Sequence, residues 1–306
     1  MKLIKLIPKK NSKFVFGSSI NEKFPVFHSD SLASAIINNL NHLKISVDID
    51  RFPKISSLFY GIRVKDKEIL FIPFVKLESN KNKVEKFVLT DRKIFKKLEM
   101  QSLSSLFSYE VECMKKLRVL VTQQEREILE DVEFIYSTSS VIKNFIDREK
   151  NKVREEGGLY EIEYITLNEG VFFYFLADSI ENIKDGIDLI KISGIGGRRS
   201  IGYGEIDRIE YDEINIVSDG DKYLSLSVIF FNNSQEFEKL ESYEIYKSRG
   251  FIGYPVWNHR TKEIFGVKEG AILSDKIEGK NFENVAPDSL NVKIPRIGKP
   301  LLIKVK

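Results

Sequence analysis

An α+β fold with antiparallel sheets is predicted by three features of this 306-residue sequence. The first is a strand-like run, Lys2–Ile7, followed by a helical stretch at residues 28–43. The second is a pair of strand-like runs, Leu159–Leu167 and Gly170–Leu176, joined by a short turn. The third is an amphipathic segment that leads through a glycine-rich loop into another strand. Together they give the order strand, helix, hairpin, helix, strand.

The first helix is predicted from apolar residues at helical spacing in HSDSLASAIINNLNHL. Ser29 or Asp30 is the expected N-cap, because either side chain can accept from a free N–H of the first turn. The apolar stripe that this helix would bury consists of Leu32, Ala33, Ile36, Ile37, Leu40 and Leu43.

The hairpin and the second helix complete the pattern. Leu159–Leu167 alternates as a half-buried strand does, Gly170–Leu176 is apolar throughout, and the intervening Asn168-Glu169-Gly170 predicts a hairpin turn. Isoleucines at steps of three and four predict a helix over Ile180–Ile190, and Tyr203–Tyr211 follows as a strand. The βαββαβ order is that of a ferredoxin-like (RRM-like) domain, with insertions between the first helix and the hairpin.

A second domain is expected after the linker Asp219-Gly220-Asp221. It would begin with a strand at Tyr223–Phe231, continue with a helix at Gln235–Glu244, and end with a strand at Leu301–Val305. We therefore predict an N-terminal ferredoxin-like domain over residues 1–216 and a degenerate second copy over residues 217–306.

Composition limits the possible functions. Hydrophobic residues make up 42% and charged residues 30% of the chain, as expected of a globular protein without a membrane partner. The one cysteine, Cys113, excludes a disulfide framework and a cysteine metal cluster, so we expect no cofactor and a reducing, cytoplasmic setting. A net charge of +3 is too small for a protein that coats DNA, but the lysine-rich residues 1–21 and 291–306 predict a basic face.

The stretch GIGGRRSIGYGEI, residues 194–206, is the strongest functional signal. A dinucleotide fingerprint is excluded because Arg199 stands where its last glycine belongs, and because the loop follows a helix instead of opening one. A P-loop is excluded because no Gly-Lys-Ser/Thr is present. Two interpretations stay open: a helix C-cap with a bulged strand start, and a cradle for a ribose-phosphate chain.

The nucleic-acid interpretation assigns a role to each residue type of the loop. Bare glycine backbone lets a phosphate chain approach closely, and turned N–H groups bind anions. Arg198 and Arg199 can each contact phosphate with two N–H groups, and Ser200 adds a hydroxyl. Tyr203 offers a ring on which a base could stack.

The loop resembles the glycine-rich loop of the RAMP superfamily, the RNA-binding proteins of CRISPR antiviral defence systems. Five further stretches are similar, in the same order, to the fourth Csm subunit of type III-A CRISPR effector complexes, namely FHSDSLASAII, NFIDREKNKVREEGGLYEIEYI, RGFIGYPV, KEGAIL and VKIPRIGKPLLIKV. The resemblance implies two ferredoxin-like domains and a non-catalytic subunit that binds the 5′ handle of crRNA. It also implies two protein partners, the neighbouring backbone RAMP subunit and the large polymerase-like subunit.

The same resemblance predicts which residues bind RNA. They are Gly194, Gly196, Gly197, Arg198, Arg199, Ser200, Gly202, Tyr203 and Gly204, with His28, Ser29, Arg148 and Arg249 as further candidates.

Three alternatives remain at this point. One is a RAMP-type endoribonuclease with His28 as general acid; related backbone subunits carry a catalytic aspartate in a similar position, where this chain has Asp30. Another is an interaction module that reaches RNA only through its partners. The last is the equivalent subunit of a type III-B complex.

Overall fold

The computed structural model describes residues 1–17, 25–75, 97–108, 110–144, 146–147, 152–153, 158–216, 220–250, 252 and 259–305. Its helices are α1 (Ser29–His42), α2 (Gln123–Ile128), α3 (Lys184–Asp188), α4 (Ile190–Ser193) and α5 (Ser234–Glu238). Its strands are β1 (Lys2–Pro8), β2 (Lys13–Phe14), β3 (Phe59–Val64), β4 (Lys67–Pro73), β5 (Met100–Ser102), β6 (Val111–Met114), β7 (Val119–Thr122), β8 (Tyr136–Asn144), β9 (Ile146–Asp147), β10 (Lys152–Val153), β11 (Leu159–Leu167), β12 (Val171–Ala177), β13 (Ile206–Glu213), β14 (Lys222–Ser225), β15 (Leu240–Ser242), β16 (Ile245–Ser248), β17 (Ile264–Val267), β18 (Ile272–Leu273) and β19 (Leu302–Val305). None of the described helices could cross a membrane.

The largest sheet has eight strands in the order β13-β1-β12-β3-β4-β5-β7-β6. Its pairs are antiparallel except for β5 and β7. Strand β12 lies next to β1 and is buried along its whole length, as its unbroken apolar sequence VFFYFLA requires. The prediction of an α+β fold with mostly antiparallel sheets is confirmed.

Helices α1 and α3 pack together against this sheet. The apolar stripe of α1 is buried except for Leu43, which follows the helix and is exposed; Leu32, Ile36 and Leu40 share one core with Ile187 and Ile190. Gly186 lies at the crossing, where a Cβ atom would come within 2.8 Å of the Ile36 carbonyl oxygen. Glycine therefore costs helix propensity at this position but permits the close approach of the two helices.

Two local predictions are wrong in detail. The predicted hairpin of Leu159–Leu167 with the next strand does not form: β11 pairs with β2 and β8, whereas β12 pairs with β1 and β3. Strand β11 mixes exposed, half-buried and buried residues and lies in a smaller sheet, whereas the fully apolar β12 lies inside the large sheet. The predicted helix Ile180–Ile190 is replaced by the two short helices α3 and α4.

The C-terminal residues form a four-stranded antiparallel sheet in the order β15-β18-β14-β19, beside the hairpin of β16 and β17. The final strand agrees with its prediction, but the predicted helix Gln235–Glu244 is only the five-residue α5, followed by β15. This sheet shares a core with the large sheet, in which Leu3 and Leu176 pack with Leu224 and Ile303.

Candidate nucleic-acid interface

The glycine-rich loop joins α4 to β13, and its two ends lie against each other. The Ile195 N–H donates to the Gly204 carbonyl at 2.9 Å. A Cβ atom at Gly194 would lie 2.8 Å from that same carbonyl oxygen, and one at Gly204 would overlap the Ile195 carbonyl oxygen. Both glycines also have positive φ angles, of 68° and 78°. Only glycine satisfies these two positions, so they determine the shape of the loop base.

The rear of the loop lies on the segment after β1. The Gly197 N–H donates to the Val15 carbonyl, and the Gly204 N–H donates to the Lys13 carbonyl, each at 2.7 Å. Gly196 has a φ of 87°, and a Cβ atom there would lie 2.7 Å from the Val15 oxygen. The backbone conformation of the loop therefore requires glycine at Gly194, Gly196 and Gly204. This agrees with the helix-cap interpretation.

The tip of the loop, residues 197–202, is exposed to solvent. Arg198 has left-handed backbone, with φ 60°, and leads into a 3₁₀ turn over Arg199–Ile201. Gly202 has a φ of 87° and open space where a side chain would be. The N–H groups of Arg199 and Ser200 donate to no atom in the part of the chain that the structure describes. The tip therefore offers both free donors and bare backbone.

Neither arginine of the tip is neutralised by a carboxylate of the described residues. The guanidinium carbon of Arg198 lies 5.3 Å from the centre of the Tyr160 ring. Arg199 donates to the Ser193 carbonyl at 3.1 Å. Because a ring and a carbonyl leave the positive charge in place, both guanidinium groups can still attract a phosphate.

Tyr203 does not offer a ring for base stacking. Only 7% of its surface is exposed, and its ring lies edge-on to that of Tyr164, with 6.1 Å between centres. The prediction that this ring is available to a base is wrong. The neighbouring Gly204 is hydrogen-bonded through its backbone to Lys13, and this holds Tyr203 against the segment after β1. Two half-buried tyrosines of β11, Tyr160 and Tyr164, lie beside the loop, and the alternation of that strand already placed them on one face.

The other predicted corner, at the start of α1, is buried. The helix begins at Ser29 with His28 as N-cap, and no side chain caps it, so the predicted Ser29 or Asp30 cap is wrong. The Ser57 hydroxyl accepts from the Ser29 N–H at 2.9 Å instead. The hydroxyl of Ser29 in turn accepts from the Val228 N–H at 2.9 Å. Ser29 is also only 4% exposed, which disfavours a direct contact with RNA.

Asp30 and His28 complete a polar seam between the N-terminal and C-terminal sheets. The carboxylate of Asp30, which is fully buried, accepts from the Ser248 hydroxyl at 2.6 Å and from the Tyr246 hydroxyl at 3.1 Å. His28 Nδ1 lies 3.1 Å from Glu269 Oε2, and the His28 side chain is 11% exposed. These contacts favour a structural role for the corner over direct RNA contact.

Glu269 is ionised inside this seam. Burial pushes its pKa upward, but the charge of His28 and the hydrogen bonds from His28 and Ser57 outweigh that effect, so the pKa lies below its usual value. The carboxylate oxygen that faces His28 also accepts from the Ser57 hydroxyl at 2.8 Å. The seam therefore contains a buried carboxylate whose oxygen is hydrogen-bonded to both His28 and Ser57.

The remaining predicted residues are less informative. Arg148 lies outside the described residues. Arg249 is exposed and lies 3.5 Å from the Glu263 carboxylate, which partly neutralises it. Within the described residues no three histidine, cysteine or acidic side chains converge in a way that could hold a metal ion.

Comparison with known proteins gives consistent matches. Residues 218–305 match the family model of the CRISPR Csm4 C-terminal domain. The chain is 29% identical over 375 residues to the CRISPR system Cms protein Csm4 of Methanocaldococcus jannaschii, covering 99% of this chain and 97% of that protein. It is 26% identical over 205 residues to the protein of the same name from Streptococcus thermophilus, covering 63% of this chain and 66% of the relative.

Solved structures share the fold. One chain of a Csm3–Csm4 subcomplex from a type III-A CRISPR-Cas interference complex matches with a TM-score of 0.68 and 23% identity, and each chain is covered completely. One chain of a Csm1–Csm4 cassette in complex with pppApA matches with a TM-score of 0.57 and 13% identity, over 100% of this chain and 97% of that one. The C-terminal domain model and the two curated relatives show that this chain is similar to Csm4 proteins, and the solved structures show that it shares their fold.

Proposed function

We propose that this protein is a non-catalytic subunit of a type III-A Csm interference complex that binds the 5′ handle of crRNA. In the same complex it bridges the large polymerase-like subunit and the backbone RAMP subunit. The observation that carries the RNA-binding part is the exposed tip of the glycine-rich loop, with two arginines that no described carboxylate neutralises. The partners are supported by the likeness to Csm4-named relatives and to chains of the Csm1–Csm4 and Csm3–Csm4 structures.

The proposed mechanism of RNA binding is electrostatic and geometric. The guanidinium groups of Arg198 and Arg199 contact phosphates, and the free N–H groups of the tip add donors to phosphate oxygens. Gly202, with open space around it, lets the ribose-phosphate chain lie against bare backbone. Contacts of this kind position the RNA without reading its bases.

We further propose that the chain consists of two ferredoxin-like domains, over residues 1–216 and 217–306. In the large sheet, β13, β1, β12 and β3 are neighbours in that order. When these four strands are numbered along the chain, their order in the sheet is fourth, first, third, second, which is that of the ferredoxin-like fold. The smaller sheet repeats this order as β19, β14, β18 and β15, with α5 after its first strand. The match of the Csm4 C-terminal domain to residues 218–305 supports the same boundary.

The surroundings of His28 support a role without catalysis. A general acid in RNA cleavage needs a ring that the scissile phosphate can reach. The His28 ring is nearly buried, bonded to Glu269 through Nδ1 and packed 4.6 Å from the Tyr246 ring. We therefore favour a structural role for His28 and expect no RNA cleavage by the purified protein.

The RNA-binding proposal can be tested with a double Arg198→Ala/Arg199→Ala variant in the reconstituted complex. We expect an affinity for handle RNA that is weaker by about 150-fold or more, since hydrogen bonds to charged groups are each worth about 1.5–3 kcal/mol. The slope of log K against log salt should also fall by about 1.4 for two lost phosphate contacts. Fluorescence anisotropy of labelled handle RNA over a salt series measures both quantities.

Arg208→Ala is the matched control for that experiment. Arg208 is also an exposed arginine near the loop, but it lies 2.9 Å from Glu210 and 3.4 Å from Asp207, which neutralise it. Its removal should leave the RNA affinity within about twofold. Equal losses in both variants, or no loss in the double variant, would contradict the proposal.

A further inference from the structure

Two cations beside the glycine-rich loop lie over tyrosine rings of a single strand. Arg198 lies over Tyr160 at 5.3 Å, and the Lys13 ammonium lies over Tyr164 at 4.5 Å from the ring centre. The two cations come from distant parts of the sequence, namely the loop tip and β2. Strand β11 brings them to one surface, because β2 pairs with it through Phe14 and Ile165.

The two tyrosines share a face of β11. They are four residues apart, so both side chains point to the same side, about 13 Å from each other at 3.3 Å per residue. On the paired strand β8, Lys143 stands opposite Tyr160 and Ser139 opposite Tyr164. The acidic Glu161 and Glu163 alternate to the other face. This tyrosine face, defined by Tyr160 and Tyr164, therefore carries cations and excludes the carboxylates of its own strand.

The rings hold these cations without removing their charge. Within the described residues neither Arg198 nor Lys13 forms an ion pair. The contrast is Lys5 in the large sheet, which is buried between Glu68 and Asp212 at 2.5 and 2.7 Å and cannot attract an external anion. A ring attracts a cation through its quadrupole and limits its rotamers, but the full positive charge remains for a phosphate.

We propose that the tyrosine face extends the RNA-binding surface, with Tyr160 and Tyr164 as positioning residues for two phosphate-binding cations, Arg198 and Lys13. This rests on the proposed handle-RNA binding and adds to it a direction for the RNA backbone. The chain runs from the loop tip along β11, and because the ring positions are about 13 Å apart, the two cations bind different phosphates. The sequence indicated Lys13 only as one of the lysines of the basic residues 1–21.

The first test replaces Tyr160 with leucine, which keeps apolar bulk and removes the ring, and with phenylalanine, which keeps the ring. We expect Tyr160→Leu to weaken handle-RNA binding about three- to tenfold and Tyr160→Phe to leave it unchanged. Tyr223→Leu is the control, because Tyr223 also lies under a cation, Lys304 at 5.8 Å, but in the C-terminal sheet. It should bind RNA as the unaltered protein does.

A double-mutant cycle shows whether Tyr160 acts through Arg198. If it does, Tyr160→Leu has no further effect on affinity in an Arg198→Ala background. An equal loss in both backgrounds would mean that the ring contacts RNA by itself or supports the fold, and would overturn the positioning role. Thermal unfolding of each variant checks that the fold is intact.

The second test does not depend on replacing a packed ring. Lys13 is exposed, so Lys13→Ala should fold normally, weaken binding by about three- to fivefold and lower the salt slope by about 0.7. Unchanged binding in Lys13→Ala and Tyr160→Leu, together with weak binding in the Arg198→Ala/Arg199→Ala variant, would overturn this inference alone. Unchanged binding in all of them would overturn the proposed function as well.

Discussion

The corner at residues 28–30 and the loop at residues 194–204 have similar sequence features but differ in their exposure to solvent. Both combine small polar residues with charge near a helix end, and both were predicted to contact RNA. In the structure the corner is buried between two sheets, whereas the loop tip is exposed. The difference shows that a charged side chain of a polar motif can bind a ligand only where no other group of the folded protein already compensates its charge.

The partners of each region explain the contrast. Asp30 accepts from two hydroxyls of the C-terminal residues, and Glu269 is hydrogen-bonded to His28, so each buried carboxylate has hydrogen-bond partners within the chain. Arg198 and Arg199 contact a ring and a carbonyl, which leave their charge available. Substitutions in the corner should therefore affect stability, and substitutions at the loop tip should affect binding.

The largest expected effect comes from Gly204, at the loop base. In Gly204→Ala the new Cβ atom overlaps the Ile195 carbonyl oxygen, and φ is 78°. Left-handed backbone costs about 1–2 kcal/mol and the forced contact about 1–3 kcal/mol, so we expect a loss of about 3–4 kcal/mol in the free energy of unfolding. Urea titration followed by circular dichroism measures it.

Gly202→Ala is the matched control, with φ 87° but open space around the new Cβ atom. Its loss of stability should be only about 1 kcal/mol, while its RNA affinity falls because the ribose-phosphate chain loses its close approach. Equal losses of stability at both glycines would show that the loop base is not rigid.

The next effect is expected at Asp30. In Asp30→Ala the hydroxyls of Ser248 and Tyr246 lose their buried acceptor, and we expect about 2–3 kcal/mol less stability. The folded fraction should still bind handle RNA with unchanged affinity. Asp30→Asn, which keeps one acceptor oxygen, should lose less stability. Folded Asp30→Ala protein with an RNA defect as large as that of the double arginine variant would contradict the division of roles.

A smaller effect concerns pH. The pKa of Glu269 is lower in the folded state than in the unfolded chain, so this carboxylate stabilises the fold above its unfolded pKa of about 4.3. That contribution disappears as pH falls through the folded pKa. Urea unfolding at pH 5, 4 and 3 should therefore show a shallower pH dependence in Glu269→Gln than in the unaltered protein. The same slope in both would mean that other carboxylates account for the acid sensitivity.

The smallest effect is expected at Arg249, which was also predicted to bind RNA. The Glu263 carboxylate lies 3.5 Å from Arg249 and 2.7 Å from Lys247, so it partly offsets both positive charges. Arg249→Ala should change the affinity for handle RNA by less than about threefold in the same anisotropy assay. A loss comparable to that of the Arg198→Ala/Arg199→Ala variant would place a second RNA contact in the C-terminal sheet.

Sequence patterns predicted the elements of the fold better than their pairing. The apolar stripe of α1 and the continuous apolar run of β12 were recognised, because burial on one face or on both leaves a local signature. The pairing of β11 with β8 instead of β12 was missed, because pairing depends on strands distant in the chain. Strand β3 was missed as well, although it supplies the second position of the ferredoxin-like order.

In the glycine-rich loop, too, the sequence predicted local backbone features better than contacts between distant side chains. Its location between a helix and a strand and the need for glycine at Gly194 and Gly204 follow from local backbone rules. Local rules do not predict the burial of Tyr203 or the contacts of Tyr160 and Tyr164 with cations. These features arise because segments that are distant in the sequence pack together.

The sequence by itself determined the α+β class, the positions of several strands and of α1, and a loop in which glycine and arginine are concentrated. These properties come from periodicity and backbone preference, which act over a few residues. Only the tertiary structure decided which charges remain without a partner: Asp30 and Glu269 are satisfied inside the seam, whereas Arg198 and Lys13 lie over rings at the surface. The physical reason is that the compensation of a charge depends on groups brought together from distant positions, and the order of residues along the chain does not record that proximity.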